Sequence, residues 1–263
     1  MEISIKRLED LFETYFPEGK YKNMTKCFIS NYYLYKKSEF KTSYKNGYFI
    51  VTYDDNKFIF CEYPSTDFFH AVEGYLKEYM IKDGDIVIDC GAYQGTFSIL
   101  ASKLVGERGL VIAFEPDTTN YKKLIHNLKI NNISNVKPIN KGLWSTNKIL
   151  NFRNNYQGSS FFYDYHNNNL ITKVPVVSLD EELANLEINK VDFIKADIEG
   201  SEIELINGSK NILLNNNVNL AIASYHELDG NKTHIKLEKI LKKLNYTSKT
   251  EFPYHLTTYA KRI

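Results

Sequence analysis

Four acidic or basic side chains in this chain sit where apolar runs stop. Asp89 closes "DIVID", Glu115 closes "GLVIAFE", Asp197 closes "VDFIKAD" and His226 closes "LAIASYH". Between the first and second lie Gly91 and Gly95, four residues apart, in "CGAYQGT". Glycine allows a sharp backbone turn and a close ligand approach. A helix beginning near Gly95 would aim its first amides at such a ligand. An isolated pair of glycines is equally a bare strand–helix turn. Glu115 shifts the balance, because an acidic strand end some twenty residues on is placed to accept the two hydroxyls of a ribose. The pattern is that of a nucleoside site.

The same stretch narrows the nucleoside. A dinucleotide site reads G-x-G-x-x-G, since a pyrophosphate lies on the backbone. Here Tyr93 stands where the close-approach glycine would fall, and Asp89 brings negative charge. That favours a phosphate-free, cationic ligand such as S-adenosylmethionine over NAD and a dehydrogenase.

The elements that position these residues alternate. Strand-like runs end at Asp89, Glu115, Asp197 and His226. Helical stripes follow at Phe97/Leu100/Ala101/Leu104, Tyr121/Leu124/Ile125/Leu128 and Leu237/Ile240/Leu241/Leu244. Such alternation predicts a doubly wound, mostly parallel seven-stranded sheet with helices on both faces. Ligands then bind at the carboxyl ends of its strands. "NVKPIN" reads as an edge strand because of Pro138. Residues 143–180 interrupt the alternation, with "KILNF" and "LITKVPVVSLD" as strands around a polar loop. In that loop Gly158, Ser159 and Ser160 are candidates for adenine contact or a cover.

Residues 1–80 differ from the rest. They hold 20 of the 37 aromatic residues, which marks them as an N-terminal α+β extension that serves acceptor or dimer contacts. Helices are expected around 4–17 and 66–79, with a hairpin turning at Asp54, Asp55 and Asn56. Residues 81–263 form the main domain.

Formal net charge is +1, from 33 basic and 32 acidic side chains, so no nucleic acid partner is expected. Three scattered cysteines point to reduced thiols rather than a disulfide framework. No apolar run reaches the ~18 residues of a membrane span, and the first residues lack a secretory core. A cytoplasmic location follows as the expectation, with a homodimer left open.

"VIDCGAYQGTFSIL", "FEPDTTNYKKLIHN", "VPVVSLDEEL" and "VDFIKADIEGSEIELINGS", in this order, resemble the FkbM-type methyltransferases of class I. The resemblance spans roughly residues 80–226. It implies a Rossmann-like fold and S-adenosylmethionine-dependent O-methylation of sugars and related natural-product scaffolds. It assigns Asp89, Gly91, Ala92, Gly95 and Thr96 to the methionine side of the cofactor and Glu115 to the ribose, while Tyr93, a departure from the family, is a further candidate for cofactor contact. Pro116 and Asp117 would shape the turn, and Asn120 would lie beside it. The family commonly has Asn where Tyr93 stands.

The acceptor side is less explicit. Asp197 reads both as the general base and as a helix N-cap. Lys195 lies two residues before it on one strand face and would pair with it or orient an acceptor. His226 reads as a neutral imidazole base or as a hydrogen-bonded wall residue. Asp197, Glu199 and Glu202 offer hard oxygen ligands, so metal dependence is undecided. N-methylation and a non-catalytic cofactor-binding role remain as alternatives.

Overall fold

The computed structural model describes residues 18–153, 171–228, 230–251 and 256–263. The expected helix at 4–17 and the Gly158–Ser160 loop lie outside them. The chain divides into two compact units, one ending at Phe69 and the other His70–Ile263.

In the first unit, helix α1 (Lys20–Ile29) runs into a π-helical turn, Ser30–Leu34. Strands β1 (Lys41–Lys45), β2 (Tyr48–Tyr53) and β3 (Asn56–Phe60) form an antiparallel meander. Asp54 and Asp55 make the second hairpin, both at positive φ, +46° and +58°, as a two-residue I′-type loop requires. The inward residues Phe49, Val51, Phe58 and Phe60 are almost fully buried. They share a core with Phe68 of helix α2 (Ser65–Phe69), whose ring centroid is 5.5 Å from that of Phe58. Six of the aromatic residues noted in the sequence, Tyr35, Phe40, Phe49, Phe58, Phe60 and Phe68, are buried here in packing.

The second unit opens with a π-helical segment, His70–Tyr75. Strand β4 (Ile86–Cys90) leads to helix α3 (Thr96–Val105), β5 (Leu110–Phe114), helix α4 (Thr118–Ile130) and β6 (Val136–Ile139). A three-stranded sheet of β7 (Gly142–Leu143), β8 (Lys148–Arg153) and β9 (Ile171–Val177) is inserted next, ahead of helix α5 (Leu179–Asn185). Then come β10 (Phe193–Ala196), helices α6 (Glu202–Asn207) and α7 (Lys210–Asn215), and β11 (Asn219–Ala223). A small ribbon of β12 (Glu227–Leu228) and β13 (Asn231–Lys232) precedes helix α8 (Thr233–Lys243), β14 (Tyr246–Glu251) and β15 (Thr257–Arg262).

Seven of these strands make one sheet in the order β14-β15-β11-β10-β4-β5-β6. The five from β11 to β6 run parallel, and β15 is antiparallel to both its neighbours. The central strands read IVIDC, LVIAF, FIKA and NLAIA, nearly all buried. A parallel sheet covered on both faces demands such runs in place of alternation. Pro138 is tolerated because β6 is an edge.

The order is that of a Rossmann-like fold. The chain winds outward from β4 to β6 and then returns to the other side of β4 at β10. Right-handed crossovers place the helices of the two halves on opposite faces. The switch in strand order falls between β4 and β10 and brings Asp89 and Asp197 to the same carboxyl edge.

Candidate functional site

The loop after β4 is shaped by its neighbours on every side. Gly91 has φ +83°, and a Cβ there would overlap the carbonyl oxygen of Asp197. Gly95 has φ +88° and caps α3; a Cβ would lie 2.5 Å from Leu124 Cδ1 of α4. The two glycines are therefore required first by protein contacts, one to the turn after β10 and one to α4. Asn127 of α4 braces the loop further, donating from Nδ2 to the Gln94 carbonyl at 2.8 Å. Tyr93 adopts φ +52°, a conformation that suits Asn better than an aromatic residue. Its ring lies 5.4 Å from Lys123 Nζ.

Glu115 faces this loop. Its Oε2 accepts from Tyr93 N at 2.7 Å, and its Oε1 accepts from Asp117 N at 2.9 Å. Each oxygen keeps lone-pair capacity for a further donor. Burial pushes the carboxyl up to about 7, against the pull of those two amides. Asp117 caps α4 by accepting from Thr119 N and Asn120 N. Pro116 and Asp117 thus fix the turn, and Asn120 is buried at its first helical residues.

Asp89 and Lys195 take a different place from the expected one. Asp89 has no exposure; Lys195 Nζ donates to its Oδ1 at 2.9 Å and Ser98 Oγ to its Oδ2 at 2.6 Å. Lys195 also donates to the Gly91 carbonyl at 2.7 Å. The two residues are register partners on β10 and β4, which the spacing of Lys195 and Asp197 along one strand does not reveal. Burial lowers the Lys195 pKa, and the Asp89 and Asp197 carboxylates outweigh it, so the ammonium stays charged. The pair is a buried brace beneath the loop. A cofactor contact was expected of Asp89, and for Lys195 an ion pair with Asp197 or an acceptor-orienting role; the ion pair is made instead with Asp89.

Asp197 lies at the edge. Tyr75 Oη donates to its Oδ2 at 2.9 Å, and Tyr225 also bonds to its carboxylate. Burial, and then this carboxylate, hold both phenols well above their ordinary range. Among the described residues Asp197 caps no helix; α6 begins five residues later, after a turn in which Glu199 has φ +53°. Neither tyrosine was singled out in the sequence. Tyr75 is 122 residues from its partner, and only the fold brings them together.

His226 sits between two carboxylates. Nε2 is 3.2 Å from Glu199 Oε2, and Nδ1 is 3.0 Å from Glu202 Oε1. Burial opposes protonation, but Glu199 and Glu202 dominate and raise the imidazole to about 10. A neutral imidazole at His226 therefore requires that the negative charge of Glu199 and Glu202 be offset by another group. Glu202 is fully buried and accepts from Gly200 N at 3.1 Å.

These features fit S-adenosylmethionine. Glu115 presents a carboxylate to the ribose position. Thr96 Oγ1, at the start of α3 and 3% exposed, is a buried hydroxyl with no partner, placed for the amino-acid portion.

The methyltransferase FkbM domain matches residues 89–248, more than half of the chain. A hexuronic acid methyltransferase, AglP of Haloferax volcanii, is 26% identical over 145 residues, covering 55% of this chain and 57% of the relative. The solved methyltransferase FkbM of Methylobacillus flagellatus KT superposes with a TM-score of 0.53 at 19% identity, over 70% of this chain and 45% of that one. A S-adenosylmethionine-dependent methyltransferase of Aquifex aeolicus gives 0.48 at 17% identity, over 77% and 94%. The chain spans little more than half the length of the curated relative and less than half of the first of these structures. With the domain match covering the loop, Glu115, the Asp197–Glu202 turn and His226, the chain belongs to the FkbM-type family of S-adenosylmethionine-dependent methyltransferases.

Proposed function

We propose that the protein transfers a methyl group from S-adenosylmethionine to a hydroxyl of a sugar or related glycan. The observation that carries this reading is the position of Asp197. Its carbonyl packs on Gly91 of the cofactor loop, and its carboxylate is aimed by Tyr75 and Tyr225. A carboxylate so held stands beside the methyl donor rather than at a distant surface. The hexuronic acid named for the Haloferax volcanii relative supports a carbohydrate acceptor.

When bound, S-adenosylmethionine supplies an electrophilic methyl group on a positively charged sulfur. Glu115 would hold its ribose and Thr96 its amino-acid end. The protein's further task is alignment of an acceptor oxygen in line with the methyl group, a contribution that reaches ~7–11 kcal/mol. Asp197 would accept the hydrogen of that oxygen and fix its direction. Asp197, Glu199 and Glu202 together disfavour an acceptor that is itself a carboxylate, so a hydroxyl is the preferred target.

The test is transfer of labelled methyl from S-adenosylmethionine to a panel of hexosides, hexuronosides and aminosugars, with the product located by NMR. An O-methyl hexoside or hexuronoside supports the reading. Methylation confined to an amine, or donor binding with no transfer to any of these acceptors, overturns it.

A further inference from the structure

Three groups at the strand edge converge more closely than an acceptor-binding wall requires. Asp197, Glu199 and His226 each present one ligand atom, and these atoms lie within 4.8 Å of one another. Three first-row metal bonds of roughly 2.0–2.3 Å would place their ligand atoms within such a span. His226 supplies the independent observation. It is 6% exposed, and neither ring nitrogen makes a hydrogen bond of acceptable geometry, although both lie near carboxylates. Its Nε2 lies 3.2 Å from Glu199 Oε2, and Asp197 completes the group.

The surroundings complete a familiar pattern of inorganic chemistry. A histidine that binds a metal through one nitrogen usually has a carboxylate at the other, which fixes ring orientation and tautomer. Glu202 is 3.0 Å from Nδ1 and is itself anchored by Gly200 N. Glu199 is delivered to the cluster by a left-handed backbone, φ +53°, followed by Gly200 at φ +100°. Strain of this kind is typical of functional positions. The charge count agrees: three carboxylates face a single imidazole, and Lys195, the nearest ammonium, is committed to Asp89.

We propose that Asp197, Glu199 and His226 bind one divalent cation, with Glu202 as the carboxylate that orients His226. Two oxygens and one imidazole nitrogen suit a hard-to-borderline ion of the Mn²⁺ class. This differs from the all-carboxylate set Asp197, Glu199 and Glu202 that the sequence offered while leaving metal undecided, because Glu202 lies at Nδ1 of His226. The inference rests on the proposed function only for its purpose, which is to hold the acceptor oxygen as a further ligand. Cation binding itself requires neither donor nor acceptor.

The experiment is Mn²⁺ titration of the chelator-treated full chain, with free Mn²⁺ read from its solution EPR signal. Uptake of one Mn²⁺ per chain is expected. Glu199→Gln and His226→Ala should each weaken it by at least about tenfold, and Glu202→Gln by about tenfold. Glu204→Gln, on α6 but outside the cluster, should leave it unchanged. Glu199→Gln is the deciding variant, since its side chain is 27% exposed and its circular dichroism and thermal midpoint report whether the fold is kept. Absence of uptake at ~1 mM Mn²⁺, or uptake unaltered in a folded Glu199→Gln protein, overturns the proposal. S-adenosylmethionine binding, measured separately by calorimetry, distinguishes this outcome from failure of the methyltransferase reading.

Discussion

With Glu115 as the proposed ribose acceptor, nucleoside binding should depend on pH, in a direction set by the surroundings of its carboxyl. Its carboxyl titrates near about 7 rather than the ordinary 4.5 because it is buried. Ribose hydroxyls donate hydrogen bonds, so they bind the ionised form. Binding therefore strengthens as pH rises through 7 and is level above it. One unit below the pKa about a tenth of the carboxyl is ionised, and one unit above about nine-tenths. The nucleoside affinity should thus rise about tenfold between about pH 6 and about pH 8. Adenosine is the right probe, because it carries no group that titrates in this window. Calorimetry in two buffers of different ionisation heat would show a proton released on binding at the lower pH and none at the higher. Glu115→Gln should bind weakly at both and flatten the profile. The unliganded protein should show the complementary trend. A raised carboxyl contributes its full stability while protonated, and loses about 3 kcal/mol as pH climbs from 4.5 to 7. Adenosine affinity that is flat or falls with rising pH would refute the placement of Glu115 as the ribose acceptor.

Other consequences are as direct. Tyr75→Phe removes the 2.9 Å donor to Asp197 and should lower methyl transfer about tenfold, with S-adenosylmethionine affinity unchanged by calorimetry. An equal loss of cofactor affinity would contradict that division. Lys195→Met leaves Asp89 buried with Ser98 alone and should lower unfolding free energy by about 3–5 kcal/mol in urea titrations. The double variant with Asp89→Asn should recover part of the loss. Tyr93→Asn relieves a left-handed aromatic residue and loses the Lys123 contact. A net gain of about 0.5–1 kcal/mol in thermal unfolding is expected.

The sheet was legible because buried parallel strands announce themselves as short apolar runs closed by polar residues. Glu115 and the glycine loop were legible for the same reason, since local spacing fixes both. The inserted sheet after β6 was visible as a break in alternation. Lys195 was misplaced because register between β10 and β4 is a tertiary property; along its own strand it points with Asp197, but across the sheet it meets Asp89. Tyr75 was missed because its meaning depends on a contact across 122 residues. His226 was marked as chemical, yet its protonation depends on two carboxylates that the turn after β10 turns back toward it. Gly91 and Gly95 are legible in the sequence both as room for a ligand and as a bare strand–helix turn, and in the structure a neighbour packs against each.

That packing constrains how such an enzyme can change its acceptor. The cofactor loop and the turn that carries Asp197 meet at Gly91 chiefly through backbone, the Asp197 carbonyl, with the Ile198 side chain beside it. A shift of the turn to admit a bulkier acceptor would drag the loop with it and disturb the donor. Divergence toward new acceptors is thereby channelled away from this backbone. It must proceed through side chains that face the edge, such as Tyr75 and Tyr225, while the frame that serves the methyl donor is inherited intact.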